Sequence, residues 1–190
     1  MNMGNGQGRV IVIGGCPRAG KTTLAVKLVK SGLGFSKISG DHLGDAFLSD
    51  FERVKTLLEG LVEDAGAYGI NSVFDYYPDN FSLDDIEKLP FKEKLDMYFL
   101  GFPDIPAEEI RYNIRHYANP CDWIYMYDME DDYLGAVAKR IYDFNIKLKQ
   151  DCKKYGHRFI DTGVGEKRCA SLNALYEEIV RQFEIFSKQR

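Results

Sequence analysis

At 190 residues, with 45% hydrophobic and 28% charged side chains, the chain has the length and composition of one packed domain rather than a disordered segment. A formal net charge of −4 argues against a general nucleic-acid binder, which needs a basic face, but leaves room for a locally basic pocket. No stretch approaches the roughly 18 apolar residues of a membrane span, residues 1–8 lack a signal-peptide pattern, and Cys16, Cys121, Cys152 and Cys169 form no Cys-x-x-Cys pair. The expectation is therefore a cytoplasmic protein with reduced thiols and with neither nucleic-acid nor membrane partners; monomer and homodimer both stay open.

Residues 9–14 predict a buried first strand, Arg9-Val10-Ile11-Val12-Ile13-Gly14. It runs into Gly15-Cys16-Pro17-Arg18-Ala19-Gly20-Lys21-Thr22-Thr23, which fills the fixed positions of G-x-x-x-x-G-K-[ST]. Glycines let a backbone turn closely around an anion, and the amides of the loop and of the following helix start then point at it. Lys21 is expected at the β- and γ-phosphates of a nucleotide and the Thr22 hydroxyl at Mg2+. Arg18 reads either as added charge near the phosphates or as a surface arginine.

A helix follows to about Lys30, with Leu24, Leu28 and Val29 available for packing and Gly32 and Gly34 as its stop. Phe35–Ser39 reads as a second strand, followed by Gly40-Asp41-His42. Phe47, Phe51, Val54, Leu58, Leu61 and Ala65 recur at helical spacing, and Ile70–Asp75 reads as a third strand. Ser82 with Asp85 resembles a capping box over a short helix at 83–88. Lys94–Leu100 is a fourth strand, and Pro106 opens a helix with Ile110, Ile114 and Tyr117 as its apolar stripe. Aromatic content suggests a strand at Cys121–Tyr127, or else a segment packed across the nucleotide site. The clearest helix is 131–154, with Leu134, Val137, Ile141, Phe144, Leu148 and Cys152 in one stripe. His157–Asp161 reads as a last strand and Ser171–Phe186 as a last helix.

Short strands separated by long amphipathic helices imply a parallel sheet covered on both faces, whose ligands bind beyond the carboxyl ends of the strands. One rim therefore collects the phosphate loop, Gly40-Asp41-His42, Asp75-Tyr76-Tyr77 and Asp161-Thr162-Gly163. On these residues the chain resembles the small phosphate-loop kinases of the adenylate, shikimate and gluconate kinase group, in layout over nearly its whole length. The resemblance implies a three-layer α/β fold, a five-stranded parallel sheet in the order 2-3-1-4-5, ATP and Mg2+, and a small-molecule acceptor such as a nucleoside, nucleotide or sugar acid. It implies one domain over 1–190, an acceptor-side helical segment at 43–69 and a lid within 103–130.

Asp41 stands where shikimate and gluconate kinases carry an acceptor-binding aspartate, and Asp75 resembles the aspartate that holds a Mg2+ water after the third strand. Asp41 also reads as an ordinary turn carboxylate, and Asn71 and Ser72 make the run before Asp75 less apolar than that element usually is. Two departures stand out: there is no Asp-Gly-Phe-Pro-Arg element, and the shikimate kinase glycine triplet is missing. Arg111 and Arg115, four apart, share a helical face and suit phosphate oxygens in a lid, or else pair with Glu108 and Glu109 on a solvated face. Lys139 and Arg140 form a second basic pair. Gly163 and Val164 match the adenine-flanking loop, with Arg168 beside it. The alternative function is an ATP-hydrolysing or ATP-binding regulatory module without an acceptor.

Overall fold

The computed structural model describes residues 8–79, 81–117 and 130–188; the expectation for 121–127 lies outside them, as do the side chains of Tyr117 and Phe186. Five parallel strands, β1 (Val10–Gly15), β2 (Phe35–Ser39), β3 (Asn71–Tyr76), β4 (Leu95–Gly101) and β5 (Arg158–Asp161), form one sheet in the order β2-β3-β1-β4-β5. This is the order the kinase resemblance implies, with the strand before the phosphate loop in the centre.

Side chains alternate across the strands, so each face has its own core. On one face Ile11, Ile13, Val73 and Leu100 pack with Leu24 and Leu28 of α1 (Lys21–Lys30) and with Leu172, Leu175 and Ile179 of α8 (Gly165–Lys188). On the other, Val10, Val12, Phe74 and Phe99 pack with Val54 and Leu58 of α4 (Phe51–Tyr68) and with Leu148 of α7 (Asp131–Tyr155). The remaining helices are α2 (Gly40–Leu43), α3 (Asp45–Leu48), α5 (Leu83–Ile86) and α6 (Ala107–Tyr117). Among the described residues no helix is long and apolar enough to cross a membrane.

Gly40-Asp41-His42 forms a helical turn directly after β2. Three local expectations change. The 43–69 segment breaks at Ser49–Asp50 because the Asp50 carboxylate accepts the Arg53 amide at 3.2 Å and starts a new helix. Val29 is 40% exposed instead of packed, since Leu24, Ala25 and Leu28 already cover the sheet side of α1. The last helix begins at Gly165, six residues before Ser171, where the turn after β5 ends. The capping box at Ser82 forms as read, with Asp85 and Ser82 each bonding the other's backbone.

Asn145 joins α7 to the exit of β4. It is fully buried, accepts the Phe102 amide through Oδ1 at 2.8 Å and donates to the Ile141 carbonyl at 2.9 Å. Asn145→Leu leaves the Phe102 amide buried without an acceptor, so it is expected to lower stability by about 1–3 kcal/mol in urea unfolding. An unchanged midpoint would contradict that role.

Candidate functional site

The phosphate loop is held open by backbone geometry and by β4. Gly15 has φ 152°, and a Cβ there would lie 2.3 Å from the Leu100 carbonyl oxygen, so only glycine fits. Cys16 N–H donates to that same carbonyl at 2.9 Å, fixing the loop entrance. The Cys16 carbonyl then accepts both the Ala19 amide at 3.2 Å and the Lys21 ammonium at 2.9 Å. Gly20 precedes α1, whose first-turn amides have no partners within the helix and carry the positive end of its dipole. Burial lowers the pKa of Lys21 from its ordinary value, against the opposing fields of Cys16, Asp41 and Asp75. A partly desolvated ammonium at a helix start suits a strongly anionic ligand.

Arg18 sits in the loop at φ 66°, a left-handed conformation that costs a non-glycine residue about 1–2 kcal/mol. Its guanidinium donates to the Asn113 carbonyl of α6 at 3.2 Å, which ties the loop to that helix. Arg168, in the first turns of α8, has its pKa lowered by burial and by the neighbouring Arg18 charge. Two guanidiniums thus lie close together beside the loop.

Thr22 and Asp75 meet. The Thr22 hydroxyl donates to Asp75 Oδ2 at 2.7 Å, linking the first turn of α1 to the end of β3. Asp75 is 2% exposed, and its Oδ1 has no hydrogen-bond donor, a costly arrangement for a buried carboxylate. Lys37 Nζ approaches that oxygen to 3.6 Å. A hydroxyl and a carboxylate with a spare oxygen form an all-oxygen donor pair, which fits Mg2+ with retained waters. No cluster of three or more His, Cys, Asp or Glu side chains suited to a metal occurs among the described residues, so any such ion would depend on ligand oxygens as well.

Lys37 was not among the residues singled out from the sequence. Phe35 and Ser39 of β2 are buried, and Lys37 lies on their side of the strand by the period-two rule, a placement that shows only once the strand is folded into the sheet. A lysine at an inward position needs a partner.

Asp41 lies on α2 just beyond β2, exposed, with its field acting on Lys21. Gly40 makes this possible, because a Cβ there would lie 2.8 Å from Tyr76 Cβ and push the turn off the sheet. Across the rim, the Gly163 amide is taken by the Asp161 carboxylate at 3.0 Å and Val164 accepts the Arg168 amide at 3.4 Å. Arg111 and Arg115 do share a face, but both reach Asp131 at the start of α7, at 3.2 and 2.6 Å. The alternative pairing with Glu108 or Glu109 is not the one adopted by these ion pairs.

A cleft of about 420 Å3 lies between the end of β3 and α7, lined by Tyr77, Asp79, Lys139, Arg140, Phe144 and Lys147 among others. Cys16 Sγ contacts the Ile141 carbonyl at 3.7 Å, so the phosphate loop touches α7 between Arg140 and Phe144. Tyr77 and Phe144 place their ring centres 4.7 Å apart, and burial raises the Tyr77 hydroxyl pKa. Arg140 pairs with Asp79 at 2.9 Å, and Lys139 with Asp143 at 2.5 Å. A second groove, about 460 Å3, is lined by Phe47, Asp50, Arg53 and Leu57 of α3 and α4 and includes none of the rim residues.

Cys16 is fully buried and its thiol pKa is pushed up to about 12 by desolvation, while Cys169 is exposed. Thiolate is the reactive form. Iodoacetamide at pH 8 is therefore expected to modify Cys169 and spare Cys16 in peptide mapping; rapid Cys16 alkylation of folded protein would contradict the packing described.

No protein-family model and no curated protein sequence matches the chain. Solved structures do. The chain is similar to a gluconokinase from Sinorhizobium meliloti at 16% identity, covering 93% of this chain and 97% of that one with a TM-score of 0.43. It is similar to a shikimate kinase from Bacteroides thetaiotaomicron at 14% identity, 90% and 98% coverage and a TM-score of 0.47. A third likeness, to deoxyadenosine kinase from M. mycoides with bound dATP, has 13% identity, 90% and 98% coverage and a TM-score of 0.41. Likenesses this distant do not say which ligand this chain takes.

Proposed function

We propose that this chain transfers the γ-phosphoryl group of ATP, with Mg2+, to a hydroxyl of a small metabolite. The observation that carries the reading is the Thr22–Asp75 hydrogen bond beneath an intact phosphate loop. Residues 15–23 would cradle the phosphates through backbone amides, Lys21 would neutralise β- and γ-oxygens, and Thr22 and Asp75 would hold Mg2+ directly or through water. Bound there, the ion supplies charge neutralisation and orientation of the phosphates. Gly163 and Val164 would flank the adenine.

The acceptor would sit on the rim between Asp41 and Tyr77, with the cleft that Tyr77 lines against α7 available to the part of it remote from the reacting hydroxyl. Asp41 would orient its hydroxyl and take the proton as the acceptor oxygen bonds to the γ-phosphorus and the bond to ADP breaks. Phosphoryl transfer depends mostly on positioning and charge, so a strong base is not required. The paired rings of Tyr77 and Phe144 with nearby Lys and Arg suit a flat or polyhydroxylated acceptor: a nucleoside, a nucleotide or a sugar acid. Residues 1–190 are taken as one catalytic unit in the cytoplasm, with 43–69 on the acceptor side. The test is acceptor-dependent ADP formation across a panel of these compounds. Turnover stimulated by one class supports the reading; steady ATP hydrolysis indifferent to every compound would favour a hydrolysing or regulatory module.

Residues 103–130 are proposed as the lid, supported by the Arg18 contact to Asn113 and by the sequence around the α6 helix, with Gly101 and Pro103 before it and Pro120 after it. In the closed complex Arg111 and Arg115 would leave Asp131 for phosphate oxygens; exposed pairs of this kind hold by only about 0–1 kcal/mol. Arg111→Ala or Arg115→Ala is expected to lower turnover about tenfold or more while changing ATP affinity little, with lysine a poor substitute for the guanidinium fork. Amide exchange over 103–117 should slow with an ATP analogue and acceptor. Unchanged exchange together with unchanged turnover would remove the lid.

A further inference from the structure

We infer that Lys37 is a positioning residue that makes divalent-cation binding conditional on the nucleotide. The inference rests on the proposed ATP and Mg2+ site. β2 and β3 pair in parallel with Lys37 opposite Val73 and Ser39 opposite Asp75, so Lys37 stands two residues below the rim on the face that carries Asp75. Its ammonium is 3.6 Å from Asp75 Oδ1, the oxygen that no hydrogen bond satisfies. Lys37 is 21% exposed and Asp75 only 2%, so the pair is screened from water on the carboxylate side and open on the lysine side.

Two consequences follow from charge alone. First, Lys37 and the Thr22 hydroxyl hold the two Asp75 oxygens from different directions, which fixes the carboxylate without using Oδ1 as a hydrogen-bond acceptor. Second, the carboxylates already have cationic neighbours: Lys37 lies beside Asp75, Lys21 lies in the fields of Asp41 and Asp75, and the Arg18 and Arg168 guanidiniums stand beside the loop. A divalent cation arriving alone meets a cluster with no excess of negative charge and a lysine 3.6 Å from Asp75 Oδ1, where Coulomb repulsion is weakly screened. A nucleotide triphosphate brings several negative charges, which both draw in the cation and give Lys37 an alternative partner through its open side. The lysine thereby opposes metal binding in the absence of nucleotide and tolerates it in its presence. A lysine that only staples β2 to β3 would have no such effect on metal affinity.

Mn2+ binding read by electron paramagnetic resonance tests this without any acceptor. For the wild-type protein, free Mn2+ should bind at least about tenfold more weakly without nucleotide than with ADP or an ATP analogue. Lys37→Met and Lys37→Gln should strengthen nucleotide-independent Mn2+ binding about tenfold, Lys37→Arg should restore the wild-type behaviour, and Asp75→Asn added to Lys37→Gln should remove the gain. Tight Mn2+ binding by the wild type alone would overturn the inference even if no Lys37 variant folds. Equal Mn2+ affinity of Lys37→Gln and wild type without nucleotide would also overturn it. Failure of the wild type to take up Mn2+ even with nucleotide would instead remove the proposed ATP site on which the inference rests.

Discussion

Lys21→Ala is expected to weaken ATP binding about 10–100-fold and to lower any phosphoryl transfer about 100-fold or more. The magnitude follows from position. The ammonium bonds the Cys16 carbonyl at 2.9 Å, so it is already at the mouth of the loop. Burial disfavours its charge, which makes a polyanionic ligand a strong partner. A charge-assisted hydrogen bond is worth roughly twice a neutral one, and it matters most where charge shifts onto the leaving oxygen. Alanine removes all of this while leaving α1 intact, because position 21 is a helix start where alanine is well tolerated. Calorimetry of both proteins with MgATP checks it, and equal affinities would reduce the loop to a structural turn.

The second large effect separates the two carboxylates. Asp75→Asn keeps the side-chain size but loses the charge that Thr22 and Lys37 converge on. Turnover is expected to fall about 10–100-fold, with the half-saturating Mg2+ concentration raised, as for groups that hold a metal through its waters. Asp41→Asn is expected to lose acceptor-stimulated turnover to a similar extent and to keep both ATP affinity and the Mg2+ profile, because Asp41 is exposed on α2 beyond β2. The comparison is a Mg2+ titration of the three proteins. Identical profiles for both variants would contradict this division of labour.

The frame of this protein was legible because its signals are strong and local. The apolar run Val10–Ile13, the glycine-lysine-threonine loop and the long stripes of α4 and α7 each point one way, and right-handed crossovers leave few arrangements open. Asp75 was legible for the same reason, as the carboxylate ending a strand beside the loop strand. Lys37 was not, because its meaning depends on β2 pairing with β3 in a particular register, which no local pattern encodes. The early start of α8 escaped since Gly165 and Glu166 look like loop residues until the turn after Asp161 is closed by its own carboxylate. The partner of Arg111 and Arg115 was misleading in sequence: Glu108 and Glu109 are near in the chain, but the packing of α6 on α7 brings Asp131 closer. The cleft against α7 likewise joins Tyr77 to Phe144 across 67 positions, a juxtaposition that only the fold creates.

The most direct measurement follows the phosphoryl group itself. The protein is incubated with Mg2+ and ATP whose γ-phosphate carries 18O, together with a pool of small metabolites, and the products are read by mass spectrometry. Phosphoryl transfer requires a labelled phosphate ester that appears with the wild-type protein and is absent with Lys21→Ala. Label found only in inorganic phosphate, or retained entirely in ATP, would contradict the account.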